Sequence, residues 1–212
     1  MRAVLSRTPV LAVTAVIIAT VTAVGACSPR DSARSIDQAG APGVGVVDSA
    51  LPIAELLGRF RTATADTPTT LAGGQSSPER LARALLTALS TRDTLAVRAL
   101  AMSRGEFAWL YYPHTKFTAP PYELGPQIVW IPLVAASDKG AGRLLERYGG
   151  RALRFEAISC PDSASTEGPN TIITSCTVRF AVDDSAARQL RLFSSLLSRG
   201  GQYKFLTYTN DL

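Results

Sequence analysis

The chain contains a single histidine, His114, and this limits the acid–base chemistry that the sequence can support. A catalytic histidine needs a cavity and a carboxylate that orients its ring, and the candidate partners, Glu123 and Asp138, are distant in sequence. The motifs G-x-S-x-G and G-x-G-x-x-G are absent, so neither a nucleophile elbow nor a dinucleotide loop is indicated. We therefore assign no catalytic residue and predict that His114 is a loop residue. The alternative is an isomerase or hydratase that uses His114, Asp138 or a tyrosine as its acid–base group.

The three cysteines point to structure and attachment rather than to catalysis or metal binding. Zinc sites need three or four nitrogen, sulfur or oxygen ligands, so a His/Cys site would have to use at least three of the four such residues in the chain, three cysteines and one histidine. We predict no metal and no cofactor. Cys160 and Cys176 each lie eight residues from Gly168, in two segments rich in β-branched and aromatic residues. If these segments form a hairpin centred on Gly168, the two cysteines face each other within disulfide reach. Two free buried thiols are the alternative.

A set of aromatic side chains is the candidate ligand pocket. Its members are Trp109, Tyr112, His114, Trp130 and Tyr148. Ligand pockets are lined mainly by apolar and aromatic groups with a few polar ones, which this set would supply. The same residues are equally compatible with an ordinary hydrophobic core, and the sequence leaves both interpretations open.

The positive charge of the chain does not indicate a nucleic-acid partner. The formal net charge is +5, and without Arg2 and Arg7 the balance is 20 basic against 17 acidic residues. The basic residues are scattered along the chain, whereas a nucleic-acid interface concentrates them on one surface.

The N-terminus is typical of an export signal. Arg2 and Arg7 precede an uncharged, apolar stretch that ends in small residues, the order found in secretory signals. The end of this stretch, Val24-Gly25-Ala26-Cys27, resembles the bacterial lipobox. The resemblance implies cleavage before Cys27 and acylation of that cysteine, with the membrane as a partner; an uncleaved membrane helix is the alternative. Ser28 follows the cysteine where an Asp would favour the inner membrane, so we expect the outer membrane, facing the periplasm, within the bacterial cell envelope.

The remaining chain divides into a tether and a folded domain. Residues 1–26 are the predicted signal peptide, and residues 27–75, rich in Ser, Ala, Gly and Pro, are the predicted flexible tether. A short amphipathic helix near residues 49–61 interrupts the tether, with Ile53, Leu56, Leu57 and Phe60 on one face. Such a short helix needs a surface to dock on, which is the protein's own domain, a partner or a membrane.

Residues 76–212 are predicted to form an α+β domain. Ser77 and Pro78 begin a helix that ends at Ser90, and Ser103 with Glu106 forms a capping box. Residues 127–150 read as a long helix in two pieces around Pro132, and strands are expected at 151–160, 170–182 and 202–209. Residues 187–198 fit a helix or a strand, and we favour the strand.

This order of elements is similar to that of the nuclear-transport-factor-2-like (cystatin-like) superfamily. The resemblance rests on the Ser77–Ser90 helix and on the strands around Phe155, Val178 and Phe205. It implies an antiparallel curved sheet that wraps a long helix and leaves an open cone. Because that superfamily contains isomerases, dehydratases and pure binding modules, the fold does not select a function. We expect a non-enzymatic module that binds a small apolar ligand or an envelope protein; a purely structural interaction module is a further alternative.

Overall fold

The computed structural model describes residues 51–161, 164–210 and 212. The signal peptide, the lipobox with Cys27 and the tether as far as residue 50 lie outside these residues, so those predictions stand untested. The helices are α1 (Ile53–Thr62), α2 (Pro78–Ser90), α3 (Thr94–Ala99), α4 (Arg104–Glu106) and α5 (Pro126–Tyr148). The strands are β1 (Leu153–Ser159), β2 (Ala164–Glu167), β3 (Asn170–Thr174), β4 (Thr177–Val182), β5 (Arg188–Leu190), β6 (Ser195–Arg199) and β7 (Gln202–Thr207). The predicted α+β class is confirmed.

The helix starts follow the capping signals in the sequence. Ser77 accepts a hydrogen bond from the Arg80 amide at 3.1 Å, and Pro78 occupies the first turn of α2. Asp93 caps α3 in the same way, and Ser103 and Glu106 form the predicted capping box of α4. A cap works within one turn of its own residue, so these starts are set locally.

The chain from Glu106 to His114 does not continue as an α-helix. Residues Phe107–Tyr111 form a π-helical turn, and Tyr112–His114 form a 3-10 turn. The buried side chain of Asn170 donates to the Leu110 carbonyl at 2.8 Å, and Arg199 donates to the same oxygen at 3.0 Å. These contacts satisfy a carbonyl near the end of the irregular segment and hold it against β3 and β6.

The first helix and the segment after it belong to the folded unit. Phe60 is 5% exposed and its ring packs edge-on against Phe107, with 5.6 Å between centroids. Leu71 is buried, and the Ala72 amide donates to Glu106 at 2.7 Å. The compact unit therefore starts before residue 76, where the sequence placed the domain boundary. Helix α1 docks on the protein's own domain, which was one of the three possible surfaces.

The long helix is continuous. Helix α5 runs through Pro132 without a break, although the residue lacks the amide that would bond to Ile128. Pro132 is exposed, so water can reach the freed carbonyl. The helix ends at Tyr148. Two residues later Gly150 has a φ of +82°, a conformation that glycine adopts without strain.

The strands form two sheets and not the single curved sheet that we expected. One sheet has the order β1-β4-β5, and the other has the order β2-β3-β6-β7. The predicted strand over residues 170–182 is divided at Ser175, which has a φ of +60°. This residue turns the chain out of one sheet and into the other.

The expected hairpin consists of two separate antiparallel pairs. β1 pairs with β4, and β2 pairs with β3 across Gly168 and Pro169. The predicted register is nevertheless present in the outer pair, where Ser159 faces Thr177. The next facing positions are Cys160 and Cys176, which form the predicted disulfide with 4.1 Å between their α-carbons.

The segment 187–198, for which the sequence fitted a helix or a strand, contains strands, as we predicted. It forms β5 and β6, and β6 continues through Gly200 and Gly201 into β7. Both glycines have positive φ angles, 57° and 74°, which is the requirement of a two-residue hairpin turn.

A buried ion pair joins three separate stretches of the chain. The Lys204 ammonium on β7 donates to both carboxylate oxygens of Glu106, at 2.9 and 3.0 Å. The same carboxylate accepts from the amides of Ser103 and Ala72, each at 2.7 Å. The two side chains are only 4% and 1% exposed. A buried charge pair needs this degree of hydrogen bonding to offset its loss of hydration.

We predict that Glu106→Gln lowers the free energy of unfolding by about 3–5 kcal/mol, because it leaves the Lys204 ammonium buried without a counter-charge. Lys204→Met should have a similar effect, and the double variant should lose less than the sum of the two. Urea denaturation of the four proteins measures this coupling. Breaking the exposed Glu79–Arg83 pair is the control and should cost less than about 1 kcal/mol. Additive effects of the two substitutions at 106 and 204 would contradict the prediction.

Candidate functional site

The aromatic residues predicted to line a pocket do not meet at one site. Tyr112 is fully buried and its hydroxyl donates to the Leu124 carbonyl at 2.7 Å. Trp109 is half-buried beneath the Arg61 guanidinium, 4.0 Å from its ring centroid. Both lie in the hydrophobic cluster around Phe107.

Trp130 packs in the same cluster, whereas Tyr148 and His114 lie elsewhere. Tyr148 is 1% exposed and packs edge-on against Phe180 in a different hydrophobic cluster. His114 is exposed, and its ring lies against the backbone of Gly168. Trp130 is half-buried on α5, with its ring centroid 5.0 Å from that of Phe107. Of the five, Trp130 alone borders the groove described next.

An apolar groove runs along one side of α5. Its first section has a volume of about 250 Å³ and lies between α5, the segment 101–104 and the end of β7. The apolar lining comes mainly from Met102, Trp130, Leu133, Val134, Ala141 and Leu206. Charged side chains at its edges are Arg98, Arg104 and Asp138.

The groove continues past Asp138 toward the C-terminal end of α5. A second section of about 390 Å³ shares Arg98, Asp138 and Ala141 with the first and extends to Leu145. Leu95 of α3 borders this section and is 78% exposed. From Trp130 to Leu145 the groove follows about 22 Å of helix, at 1.5 Å per residue.

The C-terminal segment fixes the floor of the groove against α5. The Tyr208 amide donates to Ser137 at 3.2 Å, and the Tyr208 hydroxyl donates to the Val97 carbonyl at 2.6 Å. At Gly140 the helix approaches the Tyr208 carbonyl so closely that a methyl group would overlap it. Asn210 is buried and donates to the Gly140 carbonyl at 3.1 Å. The floor of the groove is therefore held by three hydrogen bonds between side chains and backbone and by one close approach of two backbone segments.

Two arginines at the groove lack acidic partners among the described residues. Arg104 lies over the Phe60 ring, 4.4 Å from its centroid, and its Nε is buried without a hydrogen-bond acceptor. Arg98 is exposed and makes no side-chain hydrogen bond or ion pair within the described part of the chain. The Trp130 end of the groove thus combines an apolar surface with positive charge.

A second group of polar residues lies at the β2–β3 turn. The Glu167 carboxylate has one oxygen buried without a hydrogen bond, and burial raises its pKa while nearby Lys116 lowers it. Burial, and then the charge of Glu167, raises the pKa of Tyr111 to about 12. His114 lies against the next residue, Gly168. These are the side chains that bring acid–base chemistry together in this structure.

Sequence reasoning missed Glu167 as a neighbour of this loop. It lies 53 residues after His114, and only the β2–β3 hairpin returns it to the Tyr111–Lys116 segment. The groove was missed for a similar reason, because α3 and the 101–104 segment carry no periodic signal that marks an uncovered face.

The residues that the structure describes contain neither a metal-binding cluster nor a membrane-spanning helix. No three His, Cys, Asp or Glu side chains in ranges 51–161 and 164–210 lie close enough together to hold a metal ion. None of the helices described has the length and apolar character needed to cross a membrane. Comparison of the chain with protein families, with curated proteins and with solved structures found no match.

The pKa of Glu167 predicts a pH-dependent effect of Glu167→Gln. Because the folded-state pKa is raised, the folded protein is stabilised relative to the unfolded chain below the unfolded pKa, and this stabilisation is lost as pH rises through the folded pKa. The glutamine variant cannot show this loss. The free energy of unfolding of the variant minus that of the wild type, measured by urea denaturation, should therefore increase from pH 3.5 to pH 7. Glu123→Gln, on the neighbouring exposed loop, is the matched control. A difference that is constant over this pH range would contradict the assignment.

Proposed function

We propose that the protein is a lipid-anchored component of a bacterial envelope that is attached through Cys27 and binds an apolar segment of another envelope protein in the α5 groove. The anchor and the groove are separate parts of this proposal. The first rests on the N-terminal sequence, and the second rests on the geometry of the folded unit.

Two observations support export and anchoring. The sequence Val24-Gly25-Ala26-Cys27 follows an uncharged apolar stretch, as in lipoprotein signals. The Cys160–Cys176 disulfide suits a compartment outside the cytosol, where such bonds persist. More than one acyl chain on a protein gives stable attachment, since each buried methylene contributes about 0.8 kcal/mol.

The shape of the groove carries the proposal of a protein ligand. Two adjacent, open sections share three lining residues and together follow about four turns of α5. Small-molecule sites usually enclose most of their ligand, whereas a long open groove beside a helix suits an extended or helical peptide. An apolar segment would cover Leu95, Val134 and Leu133 together.

The charges at the groove define the chemistry of the segment. Arg104 borders the section that contains Trp130, Arg98 borders both sections, and neither has a carboxylate partner among the described residues. Asp138 borders the middle, where both sections meet. A segment that places a carboxylate near the two arginines would form charge-assisted hydrogen bonds. We therefore propose an apolar segment with an acidic residue at the Trp130 end.

The enzymatic alternative involves a different part of the molecule. An isomerase or hydratase needs an acid–base group beside a substrate cavity. Glu167, Tyr111 and His114 lie near one another, but the groove borders none of them. Among groove residues Asp138 is the acid–base candidate, and it is exposed. Binding without chemistry is the function that the groove supports best.

The anchor predicts that the mature protein carries fatty acyl chains on Cys27. Growth with an alkyne-bearing fatty acid should label the protein, and Cys27→Ser should abolish the label and retain the longer, uncleaved chain. Cys176→Ser is the control, because it changes another cysteine and should leave the label intact. Labelling of the Cys27→Ser protein, or an unlabelled wild type, would rule out this anchor.

The groove predicts site-specific crosslinking to a protein in the envelope. A photoreactive phenylalanine analogue at Leu95 or Leu133 should form a discrete adduct, and one at Gln189 on β5, in the other sheet, should not. Val134→Asp should reduce the adduct at least about tenfold, since burying a valine side chain contributes about 1.5–3 kcal/mol and 1.4 kcal/mol is a factor of ten. Mass spectrometry of the crosslinked peptide then shows whether it is apolar with an acidic residue. Adducts that are insensitive to Val134→Asp, or a small molecule that copurifies in place of the adduct, would contradict the proposal.

A further inference from the structure

An exposed apolar stripe lies on the side of α5 that the groove does not use. Ile128, Ile131, Pro132 and Ala135 have the spacing of one helical face, and all four are exposed. The two isoleucines are 63% and 53% exposed. Large apolar side chains in a continuous exposed patch usually mark a contact surface.

Two further exposed apolar side chains belong to the segments around the N-terminal end of α5. Tyr122 precedes the helix and is 46% exposed, and Leu51 precedes α1 and is 37% exposed. Helix α1 reaches this end of α5, because the backbone of Gly125 lies against the Leu56 side chain. Four of the five large hydrophobic side chains that are exposed in the described residues therefore belong to the two helix starts that meet here.

The composition of this patch suits a lipid–water boundary. The Lys116 ammonium lies 5.0 Å from the centroid of the Tyr122 ring. Aromatic rings with a polar group and lysines on apolar stems favour the headgroup level of a bilayer. The nearest charged residues in sequence, Lys116 and Glu123, have opposite signs.

The position of Leu51 connects the patch to the proposed anchor. Leu51 is the residue at which the chain enters the described structure, and it lies 24 residues after Cys27. Even fully extended, these residues span at most roughly 80 Å. An anchor on Cys27 therefore keeps the patch near the membrane, and tethering of this kind raises effective concentrations to roughly the millimolar range. A patch too weak to bind a bilayer alone can bind one under these conditions.

We propose that the patch formed by Leu51, Tyr122, Ile128 and Ile131 rests on the lipid bilayer surface and orients the domain there. The inference depends on the proposed anchoring and goes beyond it, since anchoring alone does not fix an orientation. With the patch on the bilayer, the groove on the other side of α5 stays open to a protein partner.

The test uses the full native protein, reconstituted through its own anchor into phosphatidylcholine–phosphatidylglycerol vesicles. The variants Ile131→Cys and Ile128→Cys are made separately, and the new cysteine of each carries an environment-sensitive fluorophore. Leu95→Cys is the matched control, because Leu95 is also apolar and highly exposed but lies on α3. We expect a blue shift at both α5 positions, and loss of most of their fluorescence when nitroxide-labelled lipids are included, with little change at position 95.

Each other result overturns the inference in a distinguishable way. Protein that floats with the vesicles but shows no quenching at 128 or 131 retains the anchor and lacks the bilayer contact. A blue shift without quenching by lipid nitroxides shows that a protein surface covers the stripe. Protein that does not float with the vesicles overturns both the anchor and the orientation. Equal quenching at position 95 shows contact without a preferred face.

Discussion

The carboxylate of Glu106 holds together three stretches of chain that are far apart in sequence. It accepts the amides of Ala72 and Ser103 and both bonds from Lys204. Two desolvated charges are costly unless every lone pair and proton has a partner, so this arrangement tolerates little displacement. Ser103 and Arg104 form a wall of the groove, and β7 contains Leu206 and leads directly to Tyr208. The shape of the candidate binding site thus depends on an ion pair that lies outside it.

Helix α5 has three different surroundings along its circumference, which explains its composition. Leu144 and Tyr148 face the core, and Leu133 and Val134 border the groove. Ile128 and Ile131 remain exposed. Helix α5 is therefore apolar on several sides, whereas an ordinary amphipathic helix is apolar on one face only. Its apolar content beyond the core is available for contacts with other molecules, and the two proposals assign these contacts to a protein segment and to a bilayer.

The predictions that succeeded concern short-range interactions. Ser77 and Ser103 cap their helices as predicted, because the bonds involved span three residues. The facing of Cys160 and Cys176 followed from a symmetric count about Gly168, and the register remained correct although a second hairpin forms between the two cysteines. The single sheet was not observed, because Ser175 adopts a left-handed conformation that its residue type does not specify. The five candidate pocket aromatics are distributed over two hydrophobic clusters and the surface, since aromatic residues are used in cores and in pockets alike.

The sequence alone determined the helix starts, the α+β class and the disulfide partners, because each depends on local spacing or on residue type. The lipobox resemblance also comes from the sequence alone, because it rests on four consecutive residue types and not on tertiary structure. Tertiary structure decided which apolar faces are covered. Periodicity shows that a face is apolar, but only the packing of other elements shows whether that face meets the core, as Phe60 does, or remains open, as Ile131 does. Glu167 and Tyr111 are also neighbours only in the folded chain. Contacts spread over the whole domain, and not local sequence, hold these two residues together.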